Sequence, residues 1–204
     1  MDKKAEIYRW GKHLFGLKGF KNTNVAGIMK MAGMAVGTFY NHYPSKEALF
    51  LEIYNEENVA LKKSIMEAVD VNADPLQTMK RMLLLNFQGM NADPILREWY
   101  NKEVFGKIEK SFRDANGLKR VDFLYSSFTE IVKKWQAEGR MRGDIDPEMI
   151  MAMFSALIVT ETHKEEIGIQ YFPGVIEYLA EFTMKGLLDR SVSTPAQKEQ
   201  REKR

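Results

Sequence analysis

Apolar side chains recur at steps of three and four along most of this chain, the spacing of one face of an α-helix. Ile7, Trp10, Leu14 and Leu17 mark the first such face. Gly19 follows as a C-cap, because glycine tolerates a left-handed backbone, and Phe20 is placed to fold back onto the face. Val25, Ile28, Met29 and Ala32 predict a second, shorter helix over 25–32. Gly33 supplies a turn, and a third helix runs from about Ala35 to Tyr40 or Asn41 with Phe39 and Tyr43 inward. A long helix is expected behind Ser45 as its cap, running toward Val69 through Leu49, Ile53 and Tyr54. The dipeptides Asp74-Pro75, Asp93-Pro94 and Asp146-Pro147 each join a capping carboxylate to a proline that loses no hydrogen bond at the first helical position. They predict helices over 75–90, 94–112 and 147–167, with two more over 117–138 and 173–189. The stretch from Gly139 to Asp144 reads as a loop rich in helix breakers. Strand signals are weak, so the expected class is all-α.

Composition narrows the chemistry. The chain has 204 residues with 45% hydrophobic and 28% charged side chains, ordinary proportions for a globular protein. It has no cysteine, which removes disulfide frameworks, thiolate zinc sites and cysteine nucleophiles. The most apolar run, Met149 to Val159, is far shorter than the roughly 20 residues that span a bilayer. The first turn is charged and no apolar leader follows, so a cytoplasmic location is expected. A net charge of +2 hides an asymmetry: residues 1–50 carry +5, residues 51–189 carry −6 and the tail 190–204 carries +3. A basic segment on an acidic body suits a polyanion-binding head.

The tract Thr23 to Lys46, TNVAGIMKMAGMAVGTFYNHYPSK, gives that head a shape. Two short helices joined by a glycine turn form a helix-turn-helix, which lays its second helix in the DNA major groove. Thr23 or Asn24 caps the first helix, leaving backbone amides suited to phosphate. Val36, Gly37, Thr38, Tyr40, Asn41 and His42 are left to face outward, and Ala35, at the start of the second helix, joins them among the expected DNA contacts. Gly37 permits close backbone approach, while Thr38 and Tyr40 offer hydroxyls to phosphate. Asn41 can reach a base edge or phosphate, and His42 adds a phosphate contact. Lys46 is expected on a backbone phosphate, so that its loss weakens binding to every sequence and flattens the salt dependence.

With Gly19-Phe20, Thr23, Ala32-Gly33, Gly37-Thr38-Phe39-Tyr40, Tyr43 and Ser45 to Leu49 in this order, the tract resembles the signature of the TetR/AcrR (Tet repressor) family of bacterial regulators. The resemblance covers about residues 5–50; beyond them it is architectural. It implies an N-terminal three-helix helix-turn-helix DNA-binding domain at 1–47 and a C-terminal helical ligand-binding and dimerisation domain at 48–189; the basic tail at 190–204 is expected to be disordered because it lacks apolar residues to bury. The resemblance also implies a homodimer through helices near 147–167 and 173–189, reading a double-stranded palindromic operator. One departure stands out: many relatives carry polar or charged residues where this chain has Ala35 and Val36. That favours methyl contacts or shape readout.

The family likeness further implies a pocket among the middle helices, filled by a small effector whose unequal affinity for two states shifts the heads. Met79, Met82, Leu83, Phe87, Trp99, Tyr100, Phe105, Phe123 and Phe128 are the candidate lining, against the plainer reading that they are core. A hydrophobic or aromatic effector is the expected class. His163 and Glu166 are three apart, but no third metal ligand is evident, and neither a metal nor a cofactor is expected. No Walker, GxGxxG, HExxH or nucleophile-elbow motif points to an enzyme. The expected function is a transcriptional repressor released from its operator by an effector, with an activator or an effector-independent DNA-binding protein as the alternative.

Overall fold

The computed structural model describes residues 2–101, 103, 104, 106, 117–172 and 174–189, with the side chains of 117–126, 158, 159, 161 and 162 excepted. Among these residues every regular element is helical. α1 spans Lys3–Lys18, α2 Val25–Met31, α3 Val36–Tyr40, α4 Lys46–Ala68 and α5 Pro75–Ala92. A 3-10 helix over Leu96–Tyr100 follows, then α6 (Gly117–Ala137), α7 (Pro147–Thr162), α8 (Lys164–Ile167), a 3-10 turn over Ile169–Tyr171 and α9 (Gly174–Leu188). The chain divides into two compact units, Met1–Ile65 with Leu85–Asp122 and Met66–Leu84 with Phe123–Arg204.

The first unit is built around aromatic rings. Phe50 takes Phe15 and Phe20 edge-on, each at 5.0 Å between ring centroids, and Tyr54 stacks on Trp99 at 5.5 Å. Gly11 of α1 makes room for a side chain of α4: a Cβ there would stand 2.7 Å from Leu49 Cδ2. The buried face of α1 is Ile7, Gly11, Leu14 and Phe15, whereas Leu17 is 67% exposed. The expected apolar face was therefore displaced at its C-terminal end. Glycine leaves no mark on a hydrophobic pattern, yet here it opens the space that the Leu49 side chain fills. Along the same seam Lys4 pairs with Glu52 at 2.9 Å, Tyr8 donates to Glu56 at 2.6 Å, and Lys12 pairs with Glu57.

Helix starts follow the caps with one exception. Ser45 Oγ accepts from the Ala48 amide at 3.1 Å, Asp74 from Gln77 at 3.0 Å and Asp146 from Glu148 at 2.8 Å. Asp93 instead accepts from the amides of both Ile95 and Leu96, at 2.7 and 3.1 Å. Leu96–Tyr100 behind it is a 3-10 helix where an α-helix over 94–112 was expected, and residues 102, 105 and 107–112 of that expectation lie outside the described residues. The expected helix over 147–167 is also interrupted, because His163 leaves helical geometry (φ −107°, ψ 20°) between α7 and α8.

In the second unit Trp135 is fully buried and its indole donates to the Val71 carbonyl at 2.9 Å. The segment 139–146 is a tied corner. The Gln136 amide donates to the carbonyls of Arg142 (3.0 Å) and Ile145 (2.8 Å). Arg142 makes two 2.6 Å bonds to Asp144, and its own amide donates to Leu187 O at 2.9 Å, closing the end of α9. Glu181 lies between Lys185 and Lys80, each at 2.7 Å, and these two ammonium groups, Lys185 first, hold its carboxyl down at about 2.

Candidate DNA-binding site

Two local devices fold the head. Asn24 Oδ1 accepts the Gly27 amide at 2.7 Å and caps α2, whose Ile28 and Met29 are fully buried. Gly33 then takes φ +68°, a left-handed conformation that a side chain would strain, and the Met34 amide returns to Met29 O at 3.0 Å. The chain enters α3 through extended Ala35. Phe39 and Tyr43 point inward, with ring centroids 5.7 Å apart. The Tyr43 hydroxyl donates to Glu52 at 3.2 Å, and burial first, then the charge of Glu52, pushes that phenol well above its ordinary range.

With that side anchored, α3 turns its other side to solvent. Ala35, Val36, Gly37, Tyr40, Asn41 and His42 are exposed, and Thr38 is half-buried. Val36 with Tyr40, and Gly37 with Asn41, stand one turn apart. Tyr40 is 58% exposed and is steadied edge-on by Phe39 at 5.4 Å. Gly37 has open space around the position a Cβ would take and needs no left-handed backbone.

Two expected contact residues are placed differently. The Thr23 side chain is buried, with its hydroxyl 2.8 Å from Gly19 O and 3.1 Å from Leu14 O, where it ties down the end of α1. Lys46 also turns inward. Its ammonium donates to Phe20 O at 2.9 Å and Thr23 O at 2.8 Å, and lies 4.1 Å from the centre of the Phe20 ring. Carbonyls that no helix satisfies attract the nearest long cation, and Lys46, in the first turn of α4, is that cation.

Sequence reasoning missed Glu98 and Glu103. Glu98 Oε1 accepts the Phe20 amide at 2.8 Å, and Glu103 pairs with Lys21 at 2.8 Å. Gly19 (φ +75°) makes room, since a Cβ there would meet Glu98 Oε1 at 2.7 Å. The α1–α2 loop is thus held by Lys46 on its carbonyls and by Glu98 on an amide, from 78 positions away. Nothing local in the sequence signals this pairing. Glu98→Ala is expected to lower stability by about 1–2 kcal/mol, because the Phe20 amide loses its partner, and Glu98→Gln to restore most of it. Urea unfolding of both variants checks this; equal losses would assign the effect to charge.

The candidate effector residues separate. Met79 and Met82 are buried in the second unit, where Leu83 is half-buried and Phe128 packs edge-on against Phe154 at 5.9 Å. Phe87 is exposed in the first unit. Trp99 and Tyr100 pack on the aromatic core of the first unit, a placement that favours the core reading for this pair. Phe105 and the Phe123 side chain lie outside the described residues.

A helix-turn-helix anchored from behind, with an uncommitted outer surface, defines a DNA-binding head. Residues 7–53 match the model of the bacterial regulatory proteins of the tetR family. The chain is 32% identical over 212 residues to the uncharacterised HTH-type transcriptional regulator YerO of Bacillus subtilis (strain 168), covering 95% of this chain and 71% of that one. It is also 32% identical over 151 residues to the HTH-type transcriptional repressor AcnR of Corynebacterium jeikeium (strain K411), covering 73% and 74%. Among solved structures, Thermus thermophilus FadR, a TetR-family transcriptional repressor in complex with lauroyl-CoA, superposes with a TM-score of 0.63 at 20% identity over 93% of this chain and 95% of that one. This chain belongs to the TetR family and is a DNA-binding transcriptional regulator.

Proposed function

We propose that this regulator is a homodimer that occupies a palindromic operator as a repressor and leaves it when a small hydrophobic or aromatic effector binds. Its reading surface is Ala35, Val36, Gly37, Thr38, Tyr40, Asn41 and His42, supported at the rim by Asn24. Thr23 and Lys46 shape that surface from behind.

The observation that carries this reading is Gly37. A glycine inside a helix costs about 0.5–1 kcal/mol relative to alanine. Among the described residues nothing repays that cost at Gly37, as nothing does at Gly16 of α1 or Gly186 of α9; what sets Gly37 apart is its place on the exposed side of the second helix of a helix-turn-helix. A surface that comes in from outside repays the cost there, when it meets the backbone at van der Waals distance. Gly37→Ala is therefore expected to keep or raise the melting temperature while lowering operator affinity at least tenfold. Thermal unfolding and a DNA titration on the same preparation check both signs; undiminished affinity would remove Gly37 from the interface.

Dimerisation is supported by α7 and α9. Met149, Ala152 and Ala156 lie exposed along α7, and Tyr178, Leu179 and Phe182 along α9. So many apolar side chains on two neighbouring helices of one unit form a surface for a partner. The effector class is supported by the methionines Met79 and Met82 with Leu83 and Phe128, and by the lauroyl-CoA held by the FadR neighbour. Selection of bound duplexes from a random pool at fixed salt is the direct test. An enriched palindrome, released by an apolar ligand such as a long-chain acyl thioester, supports the proposal; absence of any enriched sequence overturns it.

A further inference from the structure

The residues between Met31 and Pro44 include no arginine, lysine, glutamine, aspartate or glutamate. The commonest guanine contact, a cation on O6 and N7, cannot come from this segment, nor can a carboxylate on the cytosine amine. Asn41 is its one amide side chain suited to adenine. At the entry to α3 two consecutive side chains are apolar and open to solvent, Ala35 and Val36, with Val36 44% exposed. They stand on a head whose first 50 residues carry +5, complementary to a phosphate backbone.

We infer that Ala35 and Val36 read thymine by its 5-methyl group, Val36 as the principal contact. This rests on the operator reading above and adds what each half-site must contain. Two effects favour thymine at that position. The methyl loses its water against the valine, and none of the other three standard bases carries an apolar group on its major-groove edge. A guanine or cytosine there would lose water from O6, N7 or N4 and gain no partner, which is discrimination by penalty. Because the proposed dimer is two-fold symmetric, the same thymine recurs in both half-sites.

The test uses the full-length protein and the operator recovered by selection. Each thymine is replaced in turn by 2′-deoxyuridine, which removes one methyl and keeps every hydrogen-bonding group. Wild type is expected to lose about three- to fivefold in affinity at one thymine of each half-site, the worth of one buried methyl, and about ten- to twenty-fivefold when both are replaced. Val36→Ala is expected to bind the thymine operator more weakly and to be indifferent to uracil at that position. Val36→Thr, which keeps the branched shape, retains part of the uracil sensitivity. If the operator binds tightly but no uracil substitution matters, or if Val36→Ala keeps the full sensitivity, the inference is overturned and readout lies in DNA shape. If no duplex is preferred at all, the operator reading falls, and this inference with it.

Discussion

Replacing Lys46 with methionine is expected to lower stability by about 2–3 kcal/mol and to leave the salt dependence of DNA binding unchanged. Methionine keeps most of the apolar stem over Phe20 but withdraws the ammonium, so the carbonyls of Phe20 and Thr23 lose a charged donor at 2.9 and 2.8 Å. Hydrogen bonds to a charged group are worth about 1.5–3 kcal/mol each and the cation over the ring adds to them, but Lys46 is only half-buried, and water that reaches the freed carbonyls offsets part of that sum. A phosphate contact behaves differently. Its loss leaves unfolding almost untouched and reduces the slope of log affinity against log salt by about one. Urea unfolding beside a salt titration of operator affinity separates the two roles. Wild-type stability with a flattened slope would return Lys46 to the DNA interface.

Lys46 also marks where the sequence stops being legible. Turn chemistry is local, and it reads well. Gly19 and Gly33 were expected at turns and both take positive φ. Phe39 and Tyr43, four apart, were expected inward and both are buried. Ser45, Asp74 and Asp146 cap the helices they precede. Asp93-Pro94 looks the same in sequence and yields a 3-10 helix over Leu96–Tyr100. Partners distant in sequence leave no local trace. A lysine at the start of a helix beside a basic head looks like a phosphate ligand until the carbonyls of Phe20 and Thr23 are seen beside it. Glu98 looks like surface until the Phe20 amide is found at 2.8 Å. Gly11, silent in an apolar pattern, leaves the space that the Leu49 side chain of α4 fills. The outer side of α3 was legible because, among the described residues, no partner distant in sequence covers it.

Phe182→Glu is expected to convert the dimer to monomers at micromolar concentration and to lower operator affinity at least a hundredfold, with the helical content retained. Tyr178 and Phe182 stand one turn apart on α9, 64% and 62% exposed, with their rings stacked at 6.0 Å. An aromatic side chain buries about 150–250 Å² when covered, at about 25 cal/mol per Å², so this pair is the largest apolar store on that face. A two-fold interface repeats every contact, and each substitution counts twice. A glutamate there meets its own symmetry mate or an apolar surface, and both cost several kcal/mol when water is excluded. The effect on DNA follows from linkage of the heads. Once one head is bound, the other meets its half-site at an effective concentration set by the dimer rather than by the solution. Monomers lose that advantage although each reading surface is intact. Analytical ultracentrifugation and operator titration, run beside Gly37→Ala, distinguish the two failures: Gly37→Ala keeps the dimer and loses the contact, whereas Phe182→Glu keeps the contact and loses the second head. A Phe182→Glu protein that stays dimeric would place the subunit interface elsewhere than this face of α9.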